Sequence, residues 1–219
     1  MTLADDKVLE VLKDRYVVGW RNVMNEEWVG QSHGYSRSQQ AVGTTNGAGG
    51  RNVQIFVLSP DLVVLHALAG FWHPDDLRAE LRFAEGLWSV WKDEKLTRAQ
   101  KDAFCRQMQL AESRFQDEET FARSQWQHFD KHIEFSRLQT ENRDTVARVA
   151  AENGQGFALK PHNVLLHERM ADHPFVPFAE FDVTWIADHG QAFYDNNRGT
   201  GEHGVAFPRP KLKLKSHWL

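Results

Sequence analysis

Residues 53–76 constrain the fold more than any other stretch of this chain. Val53-Gln54-Ile55-Phe56-Val57-Leu58 is β-branched and apolar enough to form a strand buried on both faces. Ser59-Pro60-Asp61 supplies a turn, and Leu62-Val63-Val64-Leu65-His66-Ala67-Leu68 returns as a second strand, so the pair predicts a hairpin. Gly70-Phe71-Trp72 then leads into a helix with a well-marked start. His73 takes the N-cap position and Pro74 the first helical position, with Asp75 and Asp76 in the first turn near the positive dipole end. That helix carries two apolar rows, Leu77-Leu81-Ala84-Trp88-Trp91 and Phe83-Leu87-Val90. A helix lying on a sheet with its other side wet needs one stripe. Two rows predict a helix sandwiched between the sheet and the C-terminal half.

Upstream, Val8, Leu9, Val11 and Leu12 mark a helical stripe over residues 5–15, and Thr2 with Asp5 three residues later is a candidate start signal. Tyr16-Val17-Val18-Gly19-Trp20-Arg21-Asn22-Val23 is β-branched and aromatic and reads as a strand. A polar stretch over residues 24–52 follows, with Gly30, Gly34, Gly43, Gly47, Gly49 and Gly50 ruling out a continuous helix. Loops of that length tend to be functional or partner-bound.

The order helix, strand, long loop, strand, hairpin strand, helix resembles the second half of a thioredoxin-like fold, over residues 4 to about 91. Residues 9–23 are similar to the helix and extended strand after the family's redox site. Residues 52–61 are similar to the strand and turn after its proline, and Gly70 with His73-Pro74-Asp75-Asp76-Leu77 to its glycine and final helix. The chain departs from the family pattern as well. The Cys-x-x-Cys would fall upstream of Thr2, the proline would fall near Val53, and the opening β-α-β portion has no counterpart. The resemblance therefore implies a thioredoxin-like domain without dithiol chemistry, and it carries no functional residue onto this chain.

The C-terminal half reads as mainly helical, then irregular. Thr97-Arg98-Ala99-Gln100 fits a capping box, and Phe104, Met108, Ala111 and Phe115 continue that helix as its apolar stripe. Ala122, Trp126, Phe129 and Ile133 repeat the spacing. Residues 140–153 read as a further helix stopped by Gly154. Residues 157–207 read as a short helix around residues 164–170 followed by a wrapping segment punctuated by proline. Lys211-Leu212-Lys213-Leu214-Lys215 alternates as an edge strand or extended arm would. The expected architecture is α/β: an abbreviated thioredoxin-like sheet with flanking helices over residues 1–96, then a mainly helical extension with an irregular wrapping segment over residues 97–219.

Charge and composition narrow the partners. Across 219 residues, 26 Lys and Arg stand against 30 Asp and Glu, a balance that argues against gripping nucleic acid or an anionic membrane. No apolar run approaches the roughly 18–20 residues of a membrane span, and the first residues lack the basic start and apolar core of a signal peptide. A single cysteine, Cys105, excludes an intrachain disulfide and, with no leader visible, points to a cytoplasmic protein. Eight Trp and 14 Phe mean that much of the apolar area comes from large rings, a composition that favours protein interfaces.

Among residues that could carry chemistry, His128-Phe129-Asp130-Lys131-His132 places two imidazoles one helical turn apart, the spacing that lets both reach one divalent metal. His162, His167, Glu168 or Asp172 could complete such a site. No Glu follows the first His as a zincin motif requires, and the plain alternative is a polar stripe making hydrogen bonds across helices. Cys105 sits mid-helix beside Phe104, a setting for a packed thiol rather than a reactive one. The glycine-rich residues 45–51 precede a strand instead of opening a helix, so they read as a tight strand entry and not as a phosphate loop. Asp188-His189 lacks a Gly-x-Ser-x-Gly elbow to supply a nucleophile. The leading expectation is a redox-inactive, non-catalytic interaction or assembly subunit with a protein partner or a second copy of itself, no catalytic residue assigned and no cofactor. The alternatives are a metal-binding protein or metalloenzyme using His128 and His132, and a single-cysteine redox enzyme using Cys105.

Overall fold

The computed structural model describes residues 2–22, 54–69, 72–114, 146–151, 154–181 and 186. A 3-10 turn, Thr2–Ala4, precedes helix α1, Asp6–Arg15. The helix starts on Asp5, whose side chain accepts from the amides of Lys7 and Val8, and not on Thr2. Thr2 is engaged elsewhere, donating its hydroxyl to the Trp72 carbonyl. Tyr16 closes α1 and docks it on the central helix by donating to the Leu81 carbonyl at 2.7 Å. Burial pushes its phenol up to about 12, with the Glu85 charge adding to the effect.

Beyond Tyr16 the strand expected over residues 16–23 does not form within the described residues 16–22. Val17, Val18 and Trp20 are 105%, 63% and 90% exposed. β-Branched and aromatic residues favour a strand because they fit a pleated, half-buried surface. Among the described residues no strand pairs with this segment, so its propensity has nothing to act on.

The hairpin does form. Strand β1, Gln54–Leu58, pairs antiparallel with β2, Val64–Ala69, placing Phe56 opposite Ala67 and Val57 opposite His66. In the connection Leu62 adopts the left-handed region at φ 59° and donates its amide to the Ser59 carbonyl. All six β2 residues are buried. Helix α2, Pro74–Trp91, begins as the sequence indicates, with the His73 side chain accepting from the Asp75 amide and Pro74 in the first turn. Leu77, Leu81, Ala84 and Leu87 form its buried row, and Phe83, Trp88, Val90 and Trp91 pack partly buried around it. The helix meets β2, α1 and the next helix, so it is covered on more than one side.

Helix α3, Arg98–Glu112, opens on the expected capping box. Thr97 donates its amide to Gln100 Oε1 at 2.9 Å, and Gln100 donates its amide back to Thr97 Oγ1. Its apolar stripe is offset from the expected one. Phe104 and Ala111 are exposed, whereas Cys105 and Gln109 are buried. Met108, a member of the expected stripe, does pack against α2, its Cε lying 3.1 Å from where a Cβ at Gly86 would stand. The face that fits against the neighbouring elements carries a thiol and an amide, which an apolar count overlooks.

Within the helix expected over residues 140–153, the described residues 146–151 form half of a second hairpin instead. Strands β3, Val146–Ala151, and β4, Gly154–Leu159, pair antiparallel from Val146 opposite Leu159 to Ala151 opposite Gly154. In the sequence, Asn153-Gly154 is a recognised hairpin signal, and the same glycine preference makes Gly154 look like a helix stop. Helix α4, His162–Ala171, falls where a short helix is expected and packs on α3 and β2. The chain then lies along the start of β2. Val64 donates to the Val176 carbonyl, Phe178 donates to the Leu62 carbonyl, and Val63 bridges Pro177. Phe178 and Phe181 both stand edge-on to Phe56.

The described residues thus form a mixed α/β fold with two antiparallel hairpins and four α-helices. Cys105, Leu166, Met170 and Phe175 share one buried core with Leu65, Leu68, Leu77 and Leu81, so that core draws on both sides of residue 97. No helix among the described residues is long and apolar enough to cross a membrane.

Candidate metal centre

Four polar side chains converge inside this core, one from each element that surrounds it. β2 contributes His66, α2 contributes Glu80, α3 contributes Gln109 and α4 contributes His167. His66, Gln109 and His167 have no exposed surface, and Glu80 is 6% exposed. Uncompensated, such burial is strongly unfavourable. Here the four groups satisfy one another.

Glu80 spans the two Nε2 atoms, with Oε2 2.9 Å from His66 and Oε1 3.3 Å from His167. Gln109 spans the two Nδ1 atoms, with Nε2 3.3 Å from His66 and Oε1 2.6 Å from His167. The rings are stacked at 5.4 Å between centroids and 18° between planes. Phe83, one turn beyond Glu80, stands edge-on to both. The circuit closes without a dangling donor or acceptor at the imidazole nitrogens.

Electrostatics follow from that circuit. Burial works against the Glu80 carboxylate, but His167 and His66 outweigh it and hold the group at about 2. Burial pushes His66 below the ordinary histidine range, and Glu80 offsets part of this. Glu112, one turn past Gln109 on α3, is half-buried. Burial raises its carboxyl above the ordinary range, the His167 charge lowers it and the Glu80 charge raises it.

His66, Glu80 and His167 each offer one ligand atom, and these three atoms lie within 4.8 Å of one another. Two imidazoles and a carboxylate from separate elements make a donor set suited to a divalent transition ion. The sequence pair His128 and His132 lies outside the described residues, as do residues 45–51, Asp188, His189 and residues 211–215. Of the side chains named as completing that pair, His167 enters the buried cluster. Glu168 instead pairs with Lys160 and Asp172 with Arg106.

His66 and Glu80 were legible as anomalies: a histidine inside the apolar run Val64-Leu65-His66-Ala67-Leu68, and a carboxylate beside Leu81 on the buried row of α2. Gln109 gave no such signal. Cys105, also fully buried, is no part of the cluster. Burial, helped by Asp102, pushes its thiol up to about 12, which keeps it in the unreactive protonated form at neutral pH. Comparison with protein-family models, with curated proteins and with solved structures gives no match.

Proposed function

We propose that this chain is a divalent-metal-binding protein whose centre lies where His66, Glu80 and His167 converge. The observation that carries the reading is the meeting of these three donors, from β2, α2 and α4, within 4.8 Å inside the core. A site at His128 and His132 is the alternative, and one measurement separates the two. The test is metal content of the full chain after equilibration with Zn2+ or Co2+ and removal of free ion. One equivalent in the wild type and in His128→Ala, lost in Glu80→Gln and in His167→Gln, supports the reading. Retention in the latter two, with loss in His128→Ala, returns the site to the sequence pair.

A second reading is an interaction or assembly subunit in the cytoplasm, with β1, β2 and α2 as the closing part of an abbreviated thioredoxin-like sheet. It is favoured by the 105%, 63% and 90% exposure of Val17, Val18 and Trp20 directly after a well-anchored helix. Native mass spectrometry of the full chain tests it. A defined oligomer or complex that dissociates in Val17→Ser/Trp20→Ser supports the reading, and a monomer from its own source opposes it.

A further inference from the structure

We infer that Glu112 is the charge-balancing carboxylate of this centre, supplying the second negative charge that a divalent ion held by His66, Glu80 and His167 requires. This role rests on the metal-centre reading above and leaves all three donors on the ion.

Without Glu112 the charges of a loaded centre do not balance. A histidine that binds a metal ion does so as neutral imidazole, whatever its state without the ion. A divalent ion on two such rings and the Glu80 carboxylate therefore leaves a single positive charge in excess. Its surroundings are apolar. His66 and His167 have no exposed surface, Phe83 stands edge-on to both rings, and Leu81, Leu166 and Met170 belong to the same buried core. A charge in such a place is strongly disfavoured unless one of opposite sign lies close. Gln109 is neutral and supplies none.

Packing brings Glu112 to where that charge is needed. Helices α3 and α4 run antiparallel here, since Arg106 pairs with Asp172 and Gln109 bonds His167. Glu112, one turn beyond Gln109, is thus carried to the turn of α4 that precedes His167. It is half-buried, and no hydrogen bond or ion pair engages its carboxyl among the described residues. Other acidic side chains on these helices are already matched, Glu85 by Arg15, Asp102 by Arg98 and Glu168 by Lys160. The fields of His167 and Glu80 both reach the Glu112 carboxyl, the first favouring its charge and the second opposing it. A cation held by those two groups tips that balance toward the charge. Glu112 stands outside the donor atoms that gather within 4.8 Å, so it acts through its field and not by a bond.

Titration of the full chain with Zn2+ and Co2+, in competition with a chelator of known affinity, tests this role. Glu112→Gln keeps the shape and removes the charge. It is expected to bind each ion about 10-fold more weakly than wild type, the lower end of the effect of groups that surround a metal site. Its metal-free melting temperature should not fall, because burial disfavours the charge that is removed; a merely structural role would lower it. Glu112→Asp, which keeps the charge, should recover most of the lost affinity. Asp102→Asn removes a charge that Arg98 already balances and should bind as wild type does. Unchanged affinity in Glu112→Gln, an equal loss in Asp102→Asn, or no recovery in Glu112→Asp would overturn the assignment while leaving the centre itself standing. A wild-type chain that takes up neither Zn2+ nor Co2+ removes the centre, and the assignment with it.

Discussion

Helix α2 faces two different interiors within one turn of itself. Leu77, Leu81, Ala84 and Leu87 meet an apolar region filled by β2, Cys105, Met170 and Phe175. Glu80 meets two imidazoles and, through them, an amide. The apolar region is held by area and shape, quantities that many side chains supply and that degrade gradually. The polar region is held by parity, because each atom has one partner of the right sign and removing one leaves another buried and unmatched. The difference separates what gives this fold stability from what gives it a candidate function. Four elements bring polar groups into one core at a point where leucine would pack without such constraints.

The largest expected effect breaks the polar region at its shared member. Glu80→Ala strips both Nε2 atoms of their acceptor and should destabilise the chain by about 3–5 kcal/mol, read as a shift of the urea midpoint. If it costs no more than a surface substitution, the four groups are not acting as a unit. The same region should make stability depend on acid. His66 is held neutral, so stability starts to fall as pH drops through 6.5, where the unfolded chain gains a proton that the folded chain resists. Glu80 adds a second loss between 4.5 and about 2, because its folded carboxylate stays ionised after the unfolded one has protonated. Melting temperature against pH, measured in chelator, should show both, and Glu80→Gln should lose the lower limb. On the alkaline side Cys105 contributes with the opposite sign, its stabilisation falling from pH 9.0 toward about 12.

Breaking the apolar region should have a smaller and more local consequence. Leu87→Ala, at a fully buried site, is expected to cost about 3 kcal/mol through lost burial and the cavity left behind, while any metal uptake by the wild type persists. An equal loss of metal uptake would mean that the two regions are one. Thr97→Ala removes one bond of the capping box on α3 and should cost about 1 kcal/mol. The smallest effect has the opposite direction. Leu62 holds a left-handed backbone at φ 59° while 41% exposed, so Leu62→Gly should stabilise by under about 1 kcal/mol. Thermal unfolding of both variants measures these two together.

Local signals and structure agree where the cause is local. The hairpin, the His73–Pro74 helix start and the Thr97–Gln100 capping box depend on residues within a few positions of one another, and all three are present. The departures have causes beyond that range. Residues 16–22 have strand propensity but no pairing strand among the described residues, and residues 146–151 joined a hairpin with Gly154–Leu159 in place of a helix. The buried face of α3 carries Gln109, whose partners His66 on β2 and His167 on α4 are far from it in the sequence.

By itself, then, the sequence determined the first hairpin, the capped starts of the two helices that follow it, and the two apolar rows of the first of those helices. Tertiary structure alone decided that His66 and Glu80 meet each other and that His167 and Gln109 complete the cluster. Caps and turns are written in neighbouring residues, whereas a buried polar circuit exists only once separate elements have packed and water has been excluded from between them.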